Sequence, residues 1–204
     1  QEHTQEAIAK YMTVAQAYSV RGETAQSAKM LQRVVQLAPM DMSARSRLID
    51  QLISRGQVDD AIREYIELAD INYRLADLDM ARKTFTTALR VVQQHNVDRS
   101  WNFHILQRMA DIDMQRLDWK QAIRVYEQIR TLRPDDEATR KSLIDLNFKL
   151  GQPAQANAEI ESYLSYLQSS NRDAQIVPFL EEVLNERPSD MLVKRALAQA
   201  YQQA

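Results

Sequence analysis

Apolar residues recur three and four positions apart through almost every stretch of the chain, the spacing that gathers them on one face of an α-helix, and strand-like alternation is missing. The pattern predicts helices near 4–20, 24–37, 42–55, 58–75, 78–94, 99–116, 119–132, 137–149, 153–169, 173–186 and 190–203. The breaks have local causes. Gly22, Gly56 and Gly151 stand just past periodic runs, where a left-handed residue ends a helix at least cost. Pro39, Pro134 and Pro188 lack an N–H and restrict the residue before them, and each is followed two positions later by Asp41, Asp136 or Asp190, which can cap the next helix. Asp118 with Gln121 is spaced for a reciprocal capping box. Residues 94–101, QHNVDRSW, form the most polar interruption and are expected to be the longest loop. Pro178 is tolerable in the first turn of its helix but would kink a helix that began at Arg172.

Six turn positions follow, at residues 22, 56, 76, 117, 151 and 171, and the first three recur after 95 residues. Residues 44–57, ARSRLIDQLISRGQ, align without a gap to 139–152, TRKSLIDLNFKLGQ, and 38–41, APMD, to 133–136, RPDD. An internal duplication relating about 11–94 to 106–189 is expected. Within it, helices 58–75 and 153–169 each close one hairpin and open the next.

On these residues the chain resembles the tetratricopeptide repeat family. The family's pattern of large, small and aromatic positions over two helices falls on Tyr11, Val14, Ala15 and Tyr18, then Gly22, Ser27, Leu31, Val34 and Pro39, with a polar serine at one small position. It falls again on Leu48, Ile49, Leu52, Gly56, Ala61 and Tyr65, on Leu106, Met109, Ala110, Ala122, Tyr126, Ile129 and Pro134, and on Leu143, Ile144, Gly151, Ala156 and Ile160. The resemblance implies an all-α fold, a right-handed α-solenoid of antiparallel helical hairpins with about 11 helices, as a single domain over 1–204. Small residues at Ala15, Ala61, Ala81, Ala110, Ala122 and Ala156 are then expected where helix axes approach closely.

Composition narrows the function. With 26 Lys and Arg against 28 Asp and Glu and no long basic block, a nucleic-acid partner is not expected. No run of eighteen apolar residues exists, so neither is membrane insertion. The chain has no cysteine, which excludes disulfides and leaves the compartment open; a cytoplasmic location is the expectation and an exported or periplasmic one is compatible. The chain begins without methionine and stops inside a helical pattern, so it is expected to be a segment excised from a longer protein.

Catalysis is not expected. His3, His95 and His104 have no metal-ligand spacing, Ser100 and Ser142 have no identifiable base, and no phosphate-gripping glycine loop occurs, so no metal or cofactor is assigned. Asp111 with Asp113 and Asp77 with Asp79 stand two apart, which points a helical pair to different faces and suits a turn pair to capping. Met12, Met30, Met80, Met109 and Met114 fall at packing intervals and are read first as core fillers. Trp119 is expected to pack between hairpins, and Trp101 to be an exposed anchor.

In the family, ligands lie on the face built by the first helix of each hairpin. Transferred by resemblance, one row of that concave groove reads Gln16, Asp50, Asp70, Asp111, Asp145, Ser165 and Gln199, and a parallel row Ser19, Ile53, Tyr73, Met114 and Phe148. The candidate partner is therefore a protein or peptide segment with Lys or Arg beside apolar anchors. The competing reading is that the aspartates are solvated helix residues paired with Arg47, Arg74 or Lys149. Two other functions compete: self-association through the C-terminal hairpin, exposing Leu192, Leu197 and Tyr201 in a monomer, and a regulatory helical domain controlling an attached enzyme or transcription factor.

Overall fold

The computed structural model describes residues 2–95 and 97–203. Those residues form eleven α-helices and no strand: α1 Glu2–Val20, α2 Thr24–Leu37, α3 Met42–Ser54, α4 Val58–Arg74, α5 Leu78–His95, α6 Ser100–Gln115, α7 Trp119–Leu132, α8 Glu137–Lys149, α9 Pro153–Ser169, α10 Ile176–Glu186 and α11 Met191–Gln203. A 3-10 turn, Asp173–Gln175, leads into α10. Pro178 therefore sits in the first turn of α10, where its missing N–H is one of the groups left free anyway. The loop expected over 94–101 is shorter, because α5 runs on to His95 and α6 starts at Ser100; Asn96 lies outside the described residues.

Two kinds of connection join most of the helices, that between α5 and α6 being the exception. The first is a three-residue turn whose middle residue is left-handed. Gly22, Gly56 and Gly151 have φ of 75°, 72° and 70°, and Ala76, Leu117 and Asn171 take the same conformation with side chains attached. These are the six turn positions expected from spacing. At Gly22 the amide donates to Ser19 O and the Glu23 amide to Tyr18 O, the paired bonds that satisfy a helix's last carbonyls, and the same pair recurs at Gly56, Ala76, Gly151 and Asn171. The second kind is a four-residue turn with proline second and aspartate last. Asp41, Asp136 and Asp190 accept from the amides of Ala44, Thr139 and both Leu192 and Val193 at 2.9–3.2 Å. Asp118 accepts from Gln121 N at 3.2 Å, but the return bond from the Gln121 side chain does not form.

The chain divides into two compact units, one ending at Arg116 and the other beginning at Leu117. In the first, α1 to α6 pack consecutively, and α4 lies against both α3 and α5, as a helix shared by two hairpins must. Its core gathers Ala15, Ala28, Leu31, Leu48, Ile49, Leu52 and Ala61. Ser27 is buried among them because its hydroxyl donates to the Ala15 carbonyl at 2.9 Å, which satisfies the one polar group at a small position. In the second unit α9 is likewise shared: Ile144 of α8 and Phe179, Leu180 and Val183 of α10 meet Ile160, Tyr163 and Leu167 in one cluster. The six alanines expected at close approaches are all at most 2% exposed. Leu197 packs against the edge of the second core and is half-buried with Leu192, whereas Tyr201 is exposed as expected.

A buried ionic device appears once in each unit. Arg45 on α3 donates to the Pro39 carbonyl at 3.2 Å and to the Glu64 carboxylate on α4. Arg140 on α8 donates to the Pro134 carbonyl at 3.1 Å and to Glu159 on α9 at 2.5 Å, with Arg130 a second donor to Glu159. Each arginine thus ties the proline turn before its own helix to the helix that follows.

Candidate functional site

The aspartate row divides between the units: Asp50, Asp70 and Asp111 belong to the first, Asp145 to the second. Asp70, about one turn before the end of α4, is half-buried and accepts from Arg108 of α6 at 2.6 and 3.2 Å. The same guanidinium lies 5.0 Å above the Tyr73 ring, one helical turn along α4, and 3.8 Å from the Asp111 carboxylate on its own helix. Tyr73 OH in turn accepts from the Gln115 side chain. Asp145 on α8 repeats the arrangement: Arg187 donates to it at 2.8 Å and lies 4.0 Å above the Phe148 ring, while Lys149 reaches it at 2.6 Å. An aspartate with an aromatic three residues later therefore holds an arginine from later in the chain, combining ion pair and cation–π contact.

Of the partners expected for these aspartates, Lys149 is in place. Arg47 and Arg74 make no ion pair among the described residues, and Arg108 and Arg187 take the role instead. Asp50 is exposed and has no cation within ion-pairing distance among the described residues; its charge raises the pKa of Tyr65, after the larger effect of burial. Asp111 is exposed, and its carboxyl pKa is raised by desolvation, against which Arg108 acts in the opposite direction. Ile53 packs half-buried against the first core, Met114 is half-buried on α6, and Phe148 packs against the second core.

The remaining candidates separate cleanly. Asp111 and Asp113 do face different ways: Asp113 is buried and takes a two-oxygen bond from Arg82 Nε at 2.9 and 3.0 Å. Asp77 caps α5 through the Met80 amide, while Asp79 pairs with Arg116 at 2.9 Å. Among the methionines Met109 is buried, Met12, Met30 and Met114 are half-buried, and Met80 is exposed. Trp101 is not the free anchor expected. Its indole N–H donates to Asp59 at 2.9 Å and Arg63 stands 6.0 Å from its ring, so it is half-buried against the start of α4. Trp119 is half-buried at the start of α7. Among the described residues no group of histidine and carboxylate side chains could hold a metal ion, and no helix is long and apolar enough to cross a membrane.

Pattern reasoning missed the arginine partners because they lie 38 and 42 residues from their aspartates. It also passed over Arg45 and Arg140, whose signal was present: a charged residue kept at matched places in two aligned, otherwise amphipathic segments.

Compared with known proteins, residues 41–168 match the family model for SNAP, soluble NSF attachment protein. No curated protein matches the chain. Among solved structures, a MamA protein is 14% identical over 82% of this chain and 96% of its own, with a TM-score of 0.44. A MamA RS-1 double mutant is 15% identical over 96% and 91%, at 0.41. The APC/C hetero-tetramer Cut9-Hcn1 gives 14% over 95% and 42%, at 0.37.

Proposed function

The chain belongs to the soluble NSF attachment protein family, and from that premise we propose that it is a scaffold that holds a protein partner on the face carrying its aspartate row. The family is named for attachment to another protein, and within each unit consecutive packed helices offer a surface built from several helices. The partner segment combines Lys or Arg with apolar side chains. In the first unit the receiving groups are Asp50, Asp70 and Asp111 beside Ile53, Tyr73 and Met114; in the second they are Asp145 and Phe148.

The observation that carries this reading is the charge balance in the first unit. Arg108 is shared by Asp70 and Asp111, at 2.6 and 3.8 Å, and Asp50 has no partner, so carboxylates outnumber the cations paired with them. The raised Asp111 carboxyl is under-compensated, and a cation arriving from a partner relieves it. In the second unit, Asp145 is already held by Lys149 and Arg187, so the basic residue of a partner is expected at the first unit.

Fluorescence anisotropy with labelled peptides of matched length tests it. A leucine–lysine peptide should bind, its glutamate counterpart should not, and binding should weaken as salt rises from about 0.1 to about 1 M, where the screening length falls from about 10 to about 3 Å. Asp111→Asn should cost roughly two- to fivefold, the worth of one exposed ion pair. Equal affinity for the acidic peptide, or no salt dependence, refutes the charge argument. Self-association has its own support in Met191 and Tyr201, 61% and 56% exposed on α11. Sedimentation across concentration separates the two readings.

A further inference from the structure

A polar cavity of about 200 Å³ opens between α1, α2 and α3 in the first unit, lined by Gln16, Ser19, Arg47, Asp50 and Gln51 over a floor of Ala15 and Leu31. We propose that this cavity is the seat of a primary ammonium, the head of a lysine side chain of the partner; the proposal rests on reading this helix face as the partner surface. Ser27 also lines it, but its hydroxyl is committed to the Ala15 carbonyl. Three acceptors are not committed. The Gln51 Oε1 is buried and accepts no hydrogen bond, the Asp50 carboxylate has no ion pair, and the Ser19 Oγ receives only a 3.4 Å contact from Gln51 Nε2. An ammonium carries three N–H donors and no acceptor, so it matches this set, whereas a carboxylate would be repelled by Asp50 and would leave Gln51 Oε1 without a donor. A carbonyl oxygen buried without a donor is the group such a ligand relieves most.

Size agrees with chemistry. The cavity has room for several waters, and so for an ammonium and the end of its methylene stem, which Ala15 and Leu31 can cover. Arg47 is exposed on the lining and opposes an arriving cation, which fixes a sign for the test.

The test uses the whole 204-residue chain, labelled with ¹⁵N. The probe is Nα-acetyl-lysine methylamide, and its norleucine analogue, which lacks the ammonium, is the control. The lysine probe should shift the Ser19 and Asp50 amides and the Gln51 side-chain amide, and norleucine should not. Asp50→Asn and Gln51→Met should each weaken the effect roughly two- to fivefold, and Arg47→Met should strengthen it. Asp50 and Arg47 are exposed, so those two variants keep the fold even if Gln51→Met disturbs it. Identical shifts from both probes, or shifts indifferent to Asp50→Asn and Arg47→Met, overturn the proposal. If peptides bind with sensitivity to Asp111→Asn but not to Asp50→Asn, the partner surface stands and the ammonium seat falls. If the lysine probe seats at Asp50 while no peptide binds, the seat stands and the peptide reading falls.

Discussion

Glu159 is the residue on which the second unit's ionic device turns. Its side chain is 6% exposed and receives Arg140, itself 5% exposed, at 2.5 Å, together with the more accessible Arg130. Replacing Glu159 by alanine frees Arg130 to turn into water, but Arg140 is fixed between the Pro134 carbonyl and the Tyr163 ring, 5.2 Å from its guanidinium carbon. One buried cation is then left without a counter-charge, which costs about 3–5 kcal/mol, a large share of the about 5–15 kcal/mol that holds an ordinary domain folded. The matched position in the first unit supplies an internal control. Glu64 is 24% exposed, so water can reach the site, and Glu64→Ala should cost about 1–3 kcal/mol. Replacing both members of the deeper pair, Arg140→Met with Glu159→Leu, should be neutral or stabilising by about 1–4 kcal/mol, because the desolvation of two charges is then no longer required. Urea unfolding followed by circular dichroism measures all three. A cost below about 1 kcal/mol for Glu159→Ala, or one smaller than that of Glu64→Ala, refutes the burial argument.

Leu117 holds a left-handed φ of 56° with its side chain 71% exposed, so Leu117→Gly removes about 1–2 kcal/mol of strain and loses little packing; its melting temperature should rise. Part of the gain returns to the unfolded chain, about 0.5–1 kcal/mol for glycine's greater freedom, and a fall in melting temperature would show the turn is unstrained. Asp136→Ala removes the cap on α8 and should cost about 1 kcal/mol by urea unfolding, with no effect indicating that water replaces the bond to Thr139. Burial raises the Glu64 carboxyl above 4.5 despite the opposing pull of Arg45. A carboxyl with a folded pKa above its unfolded one favours folding when protonated, so wild type should gain stability over Glu64→Gln as pH falls through the folded pKa, completing the gain below 4.5. An opposite trend in parallel urea titrations would mean that Arg45 outweighs burial.

Elements and turns were legible because their causes are local. A glycine after an apolar run, or a proline two residues before an aspartate, states its structural effect within one turn of chain, and the helix boundaries fall within two residues of their expected places except at α10, whose expected start at Asp173 is taken by the 3-10 turn. Ala76, Leu117 and Asn171 carry no such local signature; only their spacing from the glycine turns exposed them. The candidate site was half legible. Register placed Asp70 and Tyr73 on one helix, and Asp145 and Phe148 on another, but the state of each carboxylate depends on which arginine a distant part of the chain delivers. Trp101 failed for the same reason: a tryptophan beside a polar loop reads as exposed until Asp59, 42 residues earlier, is seen to accept its N–H.

We infer the duplication of residues 11–94 into 106–189 most strongly from the paired arginine devices, since Arg45, Pro39 and Glu64 each stand 95 residues before Arg140, Pro134 and Glu159. A matched aspartate in the two copies nevertheless has opposite circumstances. Asp145 is closed by Lys149 four residues on and by Arg187, while the positions matching those cations in the copy that holds Asp50 are Ser54 and Val92. Two substitutions therefore separate an occupied carboxylate from an open one. Ser54→Lys rebuilds the first of them. Ser54 is the exposed last residue of α3, where a cation also suits the helix dipole, so stability should change by no more than about 0.5 kcal/mol. The new ammonium lies one turn from Asp50 and competes for it, so a leucine–lysine peptide should bind roughly two- to fivefold more weakly. Ser54→Gln, similar in reach but neutral, should leave binding unchanged. If lysine and glutamine behave alike in anisotropy titrations, an open charge at Asp50 is not what the first copy offers a partner.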